Sequence, residues 1–145
     1  MQTIDKVLSA RNLTDACSDV VKNKGAGGID GMSVKELKYY LDKNREELCN
    51  TIRKGRYIPQ PIRGKEISKR NGKTRLLGIP TVIDRMLQQA VSRVIMPQFE
   101  YMFSGYSYGF RPQRNTQQAV LKSLGYINSG YQHIVDIDLK GFFRR

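Results

Sequence analysis

Apolar residues recur every three to four positions at the start of the chain. Ile4, Val7, Leu8, Ala16, Cys17, Val20 and Val21 predict one or two amphipathic helices over residues 3–23, with a break near Asn12 to Thr14. KNKGAGGIDGMS follows, with glycines at 25, 27, 28 and 31. Ser33 and Glu36 have capping-box spacing and predict a helix from there to about Leu41, then a second one carrying Leu48 and Ile52 up to Gly55. From Tyr57 the pattern changes to YIPQPIRGKEISKRNGKTRLLGIP, whose prolines and alternating residues exclude helix. Asn71-Gly72 lies between KEISKR and KTRLLGI and predicts a tight turn in an antiparallel hairpin. Thr81 caps a long helix bearing Val82, Met86, Leu87, Ala90, Val91, Val94 and Ile95, which Pro97 should stop or kink. The polar aromatic loop SGYSYGFRPQRN leads to a helix over Thr116 to Asn128, closed by Gly130. His133 to Leu139 is apolar apart from Asp136 and Asp138 and reads as a buried strand.

Composition narrows the function. A chain of 145 residues that is 39% hydrophobic holds one ordinary core, so one domain is the default. Its 25 Lys and Arg against 13 Asp and Glu give a formal charge of +12. The basic residues recur in loops and turns, which favours a nucleic acid over a membrane surface as partner. Cys17 and Cys49 lack CxxC spacing and His133 is the lone histidine, so a zinc site is not expected and a reducing cytoplasm fits. No apolar run approaches a membrane span, and the N-terminus has no signal-peptide pattern.

Four segments carry candidate chemistry. The loop KGAGGIDG has the composition of a phosphate cradle but lacks a P-loop ending and follows no strand; Lys22 and Lys24 beside it could contact a phosphate backbone. The hairpin presents Lys65, Lys69, Arg70, Lys73 and Arg75, with Lys69 and Arg75 flanking the turn almost symmetrically. An Arg fork and a Lys point charge reaching one anion suit a triphosphate. In YSYGFRPQR, Tyr106, Tyr108 and Phe110 interleave with Arg111 and Arg114, a combination that stacks bases and holds phosphates. Asp136 and Asp138, two apart on a strand, would face one way and could bed a divalent metal.

Four runs, GAGGIDGMSVKEL, YIPQPIRGKEISKRNGKTRLLGIPTVIDRMLQQAV, YSYGFRPQRNTQQAV and DIDLKGFF, occur in the order seen in the reverse transcriptases of group II introns. The sequence closely resembles that family from about residue 24 to 143. The resemblance implies an α+β fold, the mostly helical fingers of a right-hand polymerase with a small antiparallel sheet. Residues 1–131 would be fingers, and 132–145 the start of the palm with its first strand. It implies that the glycine loop, with Gly25, Gly27 and Gly28, touches template, and that Lys69 and Arg75 meet the incoming dNTP. Asp138 would be the catalytic aspartate and a ligand of Mg²⁺ together with the Leu139 carbonyl, Phe143 the steric gate, and Asp136 a structural or electrostatic neighbour.

The implied partners are group II intron RNA, RNA template, DNA primer and dNTP in a bacterial cytoplasm, with no membrane, and a homodimer stays compatible. Where the family has an aspartate after GFF, this chain has Arg144 and Arg145 and ends, without the YADD segment, thumb or maturase domain. The expectation is a truncated fingers fragment of an RNA-directed DNA polymerase and maturase that binds RNA but does not polymerise. A self-standing basic RNA-binding module explains the charge equally well but not the ordered motifs. A retron or diversity-generating reverse transcriptase is a further alternative, against which the glycine loop and YSYGFRP weigh.

Overall fold

The structure is a computed structural model describing residues 2–68 and 72–139. It is α+β and divides into two compact units, Met1–Tyr101 and Met102–Arg145. The first carries helices α1 (Thr3–Val7), α2 (Ala10–Lys22), α3 (Leu37–Arg53) and α4 (Val82–Phe99), with strands β1 (Arg63–Ser68) and β2 (Thr74–Ile79) between α3 and α4. The second carries α5 (Thr116–Asn128).

The core of the first unit is built by one face of each helix. Leu13, Ala16, Cys17 and Val20 of α2 meet Leu37, Leu41, Leu48 and Cys49 of α3 and Val82, Met86 and Ala90 of α4, with Val7 and Leu8 closing one side. The break after α1 falls at Leu8 and Ser9 rather than at Asn12 to Thr14, because Ser9 is the N-cap of α2, its hydroxyl accepting from the Asn12 N–H at 3.3 Å. Asn12 is instead a clamp, donating from its side chain to the carbonyls of Val7 and Ala90, both at 2.9 Å. The two helices read over residues 33–55 are one helix, α3, preceded by a turn in which Glu36 accepts from the Ser33 N–H and hydroxyl. Leu41 and Leu48 lie seven apart on one face, and Lys43, Arg45, Glu46 and Glu47 between them are good helix formers.

α4 is capped as expected, Thr81 Oγ1 accepting from the Asp84 N–H, but it runs through Pro97 to Phe99. Pro97 has no N–H to give the Arg93 carbonyl one turn earlier, so the helix passes through it with that bond missing. Arg93 links α4 to α2 by pairing with Asp15 at 2.7 Å and Asp19 at 2.8 Å. Cys17 and Cys49 are free and buried, and burial raises both thiols above their ordinary pKa. Among the described residues no helix is long and apolar enough to cross a membrane.

In the second unit α5 matches its predicted bounds: Asn115 and Gln118 form a reciprocal capping box, and Gly130 just beyond has φ +91°. The buried strand expected over 133–139 is not formed. Ile134, Val135, Ile137 and Leu139 are exposed, and residues 131–139 adopt no regular element. A strand holds its shape through a neighbour's ladder, and no strand lies in the described part of this unit.

Candidate nucleic-acid and nucleotide interface

The hairpin is antiparallel, as its sequence predicts, with Arg63 opposite Ile79, Lys65 opposite Leu77, Ile67 opposite Arg75 and Ser68 opposite Thr74. A two-residue Asn71-Gly72 turn would pair residue 70 with 73. The observed register is one residue different and centres the connection on residue 71, with Gly72 left-handed at φ +74°. Arg75 therefore faces Ile67 across the ladder. Lys69, its expected counterpart, lies outside the described residues. The pleat sets Arg63, Lys65 and Arg75 on one face of the ribbon, interleaved with Ile67, Leu77 and Ile79. Arg63 and Lys65 thus join Arg75 in a basic face that only the register reveals.

A two-stranded ribbon is marginal in water by itself, and this one is exposed along both strands. Its base is tied by a buried carboxylate. Asp84, in the first turn of α4, accepts from the Tyr57 hydroxyl at 2.7 Å, the Gln60 N–H at 3.1 Å and the Thr81 hydroxyl at 2.7 Å. Tyr57 and Gln60 lie on the way into the ribbon and Thr81 on the way out, so one side chain closes the loop at both ends. Burial, followed by the hydrogen bond to Asp84, pushes the Tyr57 phenol up and keeps it a neutral donor. The partial positive charge at the α4 N-terminus favours the carboxylate at that position.

The glycine loop is docked on the same turn of α4. A Cβ on Gly28 would lie 2.5 Å from Thr81 Cα and 2.8 Å from its nitrogen, and one on Gly27 would lie 2.7 Å from the Met32 carbonyl oxygen. A Cβ on Gly25 would collide with the Arg85 guanidinium, whose Nη2 donates to the Ala26 carbonyl at 2.6 Å. Gly27 and Gly28 allow backbone to approach backbone and Gly25 leaves room for the Arg85 side chain, which a flexible connection would not require. Lys22 ends α2 and Lys24 follows in a left-handed conformation, φ +47°, both exposed beside the loop.

In the second unit the arginines of the aromatic loop first hold the loop itself. Arg111 donates to the carbonyls of Ser104 at 2.6 Å and Ser107 at 3.0 Å and lies over the Phe103 ring, 5.2 Å from its centroid. Arg114 donates to the Gly105 carbonyl at 3.2 Å and sits 5.6 Å from the Tyr108 centroid. Phe110 is fully exposed on a left-handed backbone, φ +56°. Lys122 approaches the rings of Tyr106 and Tyr126, and Tyr131 packs edge-on against Tyr126. Lys122, Tyr126 and Tyr131 lie outside the recognisable motif, where no local pattern marks them.

Asp136, Asp138 and Leu139 lie on the exposed segment of the second unit, and Phe143 lies outside the described residues. Among the described residues no group of three or more His, Cys, Asp or Glu is placed to hold a metal. Carboxylate and carbonyl oxygens are the hard donors that Mg²⁺ takes, often one or two from protein alongside substrate phosphates. The donor type fits; the set is partial.

Residues 67–145 match the family described as reverse transcriptase (RNA-dependent DNA polymerase). The chain is 36% identical over 136 residues to the group II intron-encoded protein LtrA of Lactococcus lactis subsp. cremoris, covering 88% of this chain and 21% of that protein. It is 37% identical over 110 residues to protein YkfC of Escherichia coli (strain K12), 74% of this chain and 29% of the relative. A putative COX1/OXI3 intron 1 protein of Saccharomyces cerevisiae is 24% identical over 99% of the chain and 16% of its own length. The chain thus spans less than a third of the length of these curated relatives. It belongs to the reverse transcriptase family and, within it, is similar to the group II intron-encoded proteins.

Proposed function

We propose that this chain supplies the fingers of an RNA-dependent DNA polymerase that also serves intron splicing as a maturase. In this reading it binds template or intron RNA through its glycine and aromatic loops, and an incoming dNTP through the hairpin. The observation that supports it most is the basic hairpin face of Arg63, Lys65 and Arg75, tied through Asp84 to the helical turn on which the glycine loop docks. A projecting ribbon with one cationic face suits the phosphates of a nucleotide, and a fixed backbone loop beside it suits a strand of template. Phe110 supplies an exposed ring for stacking, while Tyr108, Arg111 and Arg114 shape the loop that presents it. Asp138 and the Leu139 carbonyl would hold Mg²⁺, which neutralises phosphate charge when bound.

Binding of a single-stranded RNA oligonucleotide by the 145-residue chain is expected to be electrostatic. Neutralising roughly six phosphates of a single strand implies a loss of about three-hundredfold in affinity between about 50 and about 200 mM salt. Fluorescence anisotropy across that range measures it, and a flat salt response removes the polyanion reading. The same preparation should extend no primer on an RNA template; nucleotide incorporation would overturn the assignment of a fingers region alone.

In a polymerase that carries this region, Arg75→Ala should raise KM for dNTP by about tenfold to a hundredfold, the effect of losing hydrogen bonds to a charged group, with template affinity nearly unchanged. Steady-state incorporation at varied dNTP, beside template titration, separates the two. A fall in template affinity with an unmoved dNTP dependence would make Arg75 a backbone clamp.

A further inference from the structure

We infer that Arg85 is a positioning residue that sets the glycine loop for template binding, so that one turn of α4 aligns the template-facing loop with the nucleotide-facing hairpin. This rests on the function proposed above for the loop and hairpin; the Arg85 contacts themselves do not.

Three features converge on that turn. Arg85 Nη2 holds the Ala26 carbonyl at 2.6 Å, across a sequence separation of 59. Its guanidinium fills the space a side chain at residue 25 would need, and Gly28 lies flat against the Thr81 backbone. On the other side of the turn Asp84 gathers Tyr57, Gln60 and Thr81 at the base of the hairpin. Loop and ribbon are thus fastened to consecutive residues, Asp84 and Arg85, of one rigid helix. With the Gly28–Thr81 contact, these two fastenings set their relative placement.

Arg85 Nε is buried and has no hydrogen-bond partner among the described residues. An unpaired buried donor opposes folding. Stability alone is a weak reason for an arginine here, because a lysine would remove that donor and keep the charge. What arginine adds is a planar, preorganised fork whose direction fixes the carbonyl it holds.

The test uses the 145-residue chain with Arg85→Lys, Arg85→Ala and Gly28→Ala, read by thermal unfolding, amide hydrogen exchange over residues 25–31, and anisotropy with a single-stranded RNA oligonucleotide. Arg85→Lys should melt at or above the temperature of the unmodified chain, yet exchange the loop amides about tenfold faster and bind RNA about five- to tenfold more weakly, with the slope against salt unchanged. Arg85→Ala should loosen the same amides at least as much. Gly28→Ala, which pushes the loop off Thr81, should weaken RNA binding in the same way. Unchanged loop exchange in both Arg85 variants overturns the positioning role. So does RNA affinity restored in full by lysine with a salt slope lowered by about one in alanine, the pattern of a direct phosphate contact. An unmodified chain that fails to bind RNA defeats the proposed function, while the exchange data still decide whether Arg85 fixes the loop.

Discussion

Asp84→Ala is expected to destabilise the first unit by about 3 kcal/mol, since it leaves several buried or half-buried donors without their acceptor. The Tyr57 hydroxyl, the Gln60 N–H and the Thr81 hydroxyl all end on this carboxylate, which is only 5% exposed. For a unit of this size that corresponds to a fall in Tm of roughly 12 °C or more. Asp84→Asn keeps the shape and one acceptor oxygen but turns the other into a donor facing donors, so it should lose about half as much. Urea unfolding gives both values from the shift in midpoint at constant slope. Because the carboxylate closes the hairpin at both ends, amides of β1 and β2 should lose protection before those of α2 and α3. A change within about 0.5 kcal/mol, the range of ordinary surface substitutions, would show that the ribbon is held by something else.

That hub was not visible in the sequence. An aspartate three residues after a capping threonine reads as a solvated first-turn acid, and nothing local says that Tyr57 and Gln60 will fold back onto it. Local signals did carry the elements whose limits are set locally: Asn115, Gln118 and Gly130 place both ends of α5. The existence of the hairpin was legible from Asn71-Gly72, but its register was not. Register depends on the whole connection and on packing at the base, and a shift of one residue exchanges which side chains share a face. In the observed register Arg75 lies opposite Ile67, while Lys69 is outside the described residues.

The glycines were legible as a loop and not as a docking surface, because the atoms a Cβ would strike belong to Thr81 and Arg85, far along the chain. The segment 133–139 shows the opposite failure. Its run of apolar residues reads as buried, yet hydrophobic pattern states what a segment would bury and not whether a partner strand is present. The family motifs went further than either kind of local reasoning. They identified the reverse transcriptase lineage from residues whose geometry the chain displays only in part.

The second large effect concerns the two aspartates on that segment. Asp136 and Asp138 are both exposed and two apart, so position alone does not rank them. In the proposed polymerase Asp138 contributes a carboxylate oxygen beside the reacting phosphates, and exchange for an amide removes its charge and leaves a single neutral carbonyl oxygen, a much weaker donor. Asp138→Asn is therefore expected to lower incorporation by at least about a thousandfold, with folding and RNA binding unchanged. Asp136→Asn changes only the local field and should leave activity within about tenfold of the unmodified enzyme, a difference of about 1.4 kcal/mol.

Single-nucleotide extension of a DNA primer on an RNA template, at saturating Mg²⁺ and dNTP, compares the two variants in a polymerase that carries this region. The account predicts no extension with Asp138→Asn and measurable extension with Asp136→Asn. An inactive Asp136→Asn beside an active Asp138→Asn would reverse the roles, and full activity in both would remove this segment from the chemistry and contradict the account at its centre.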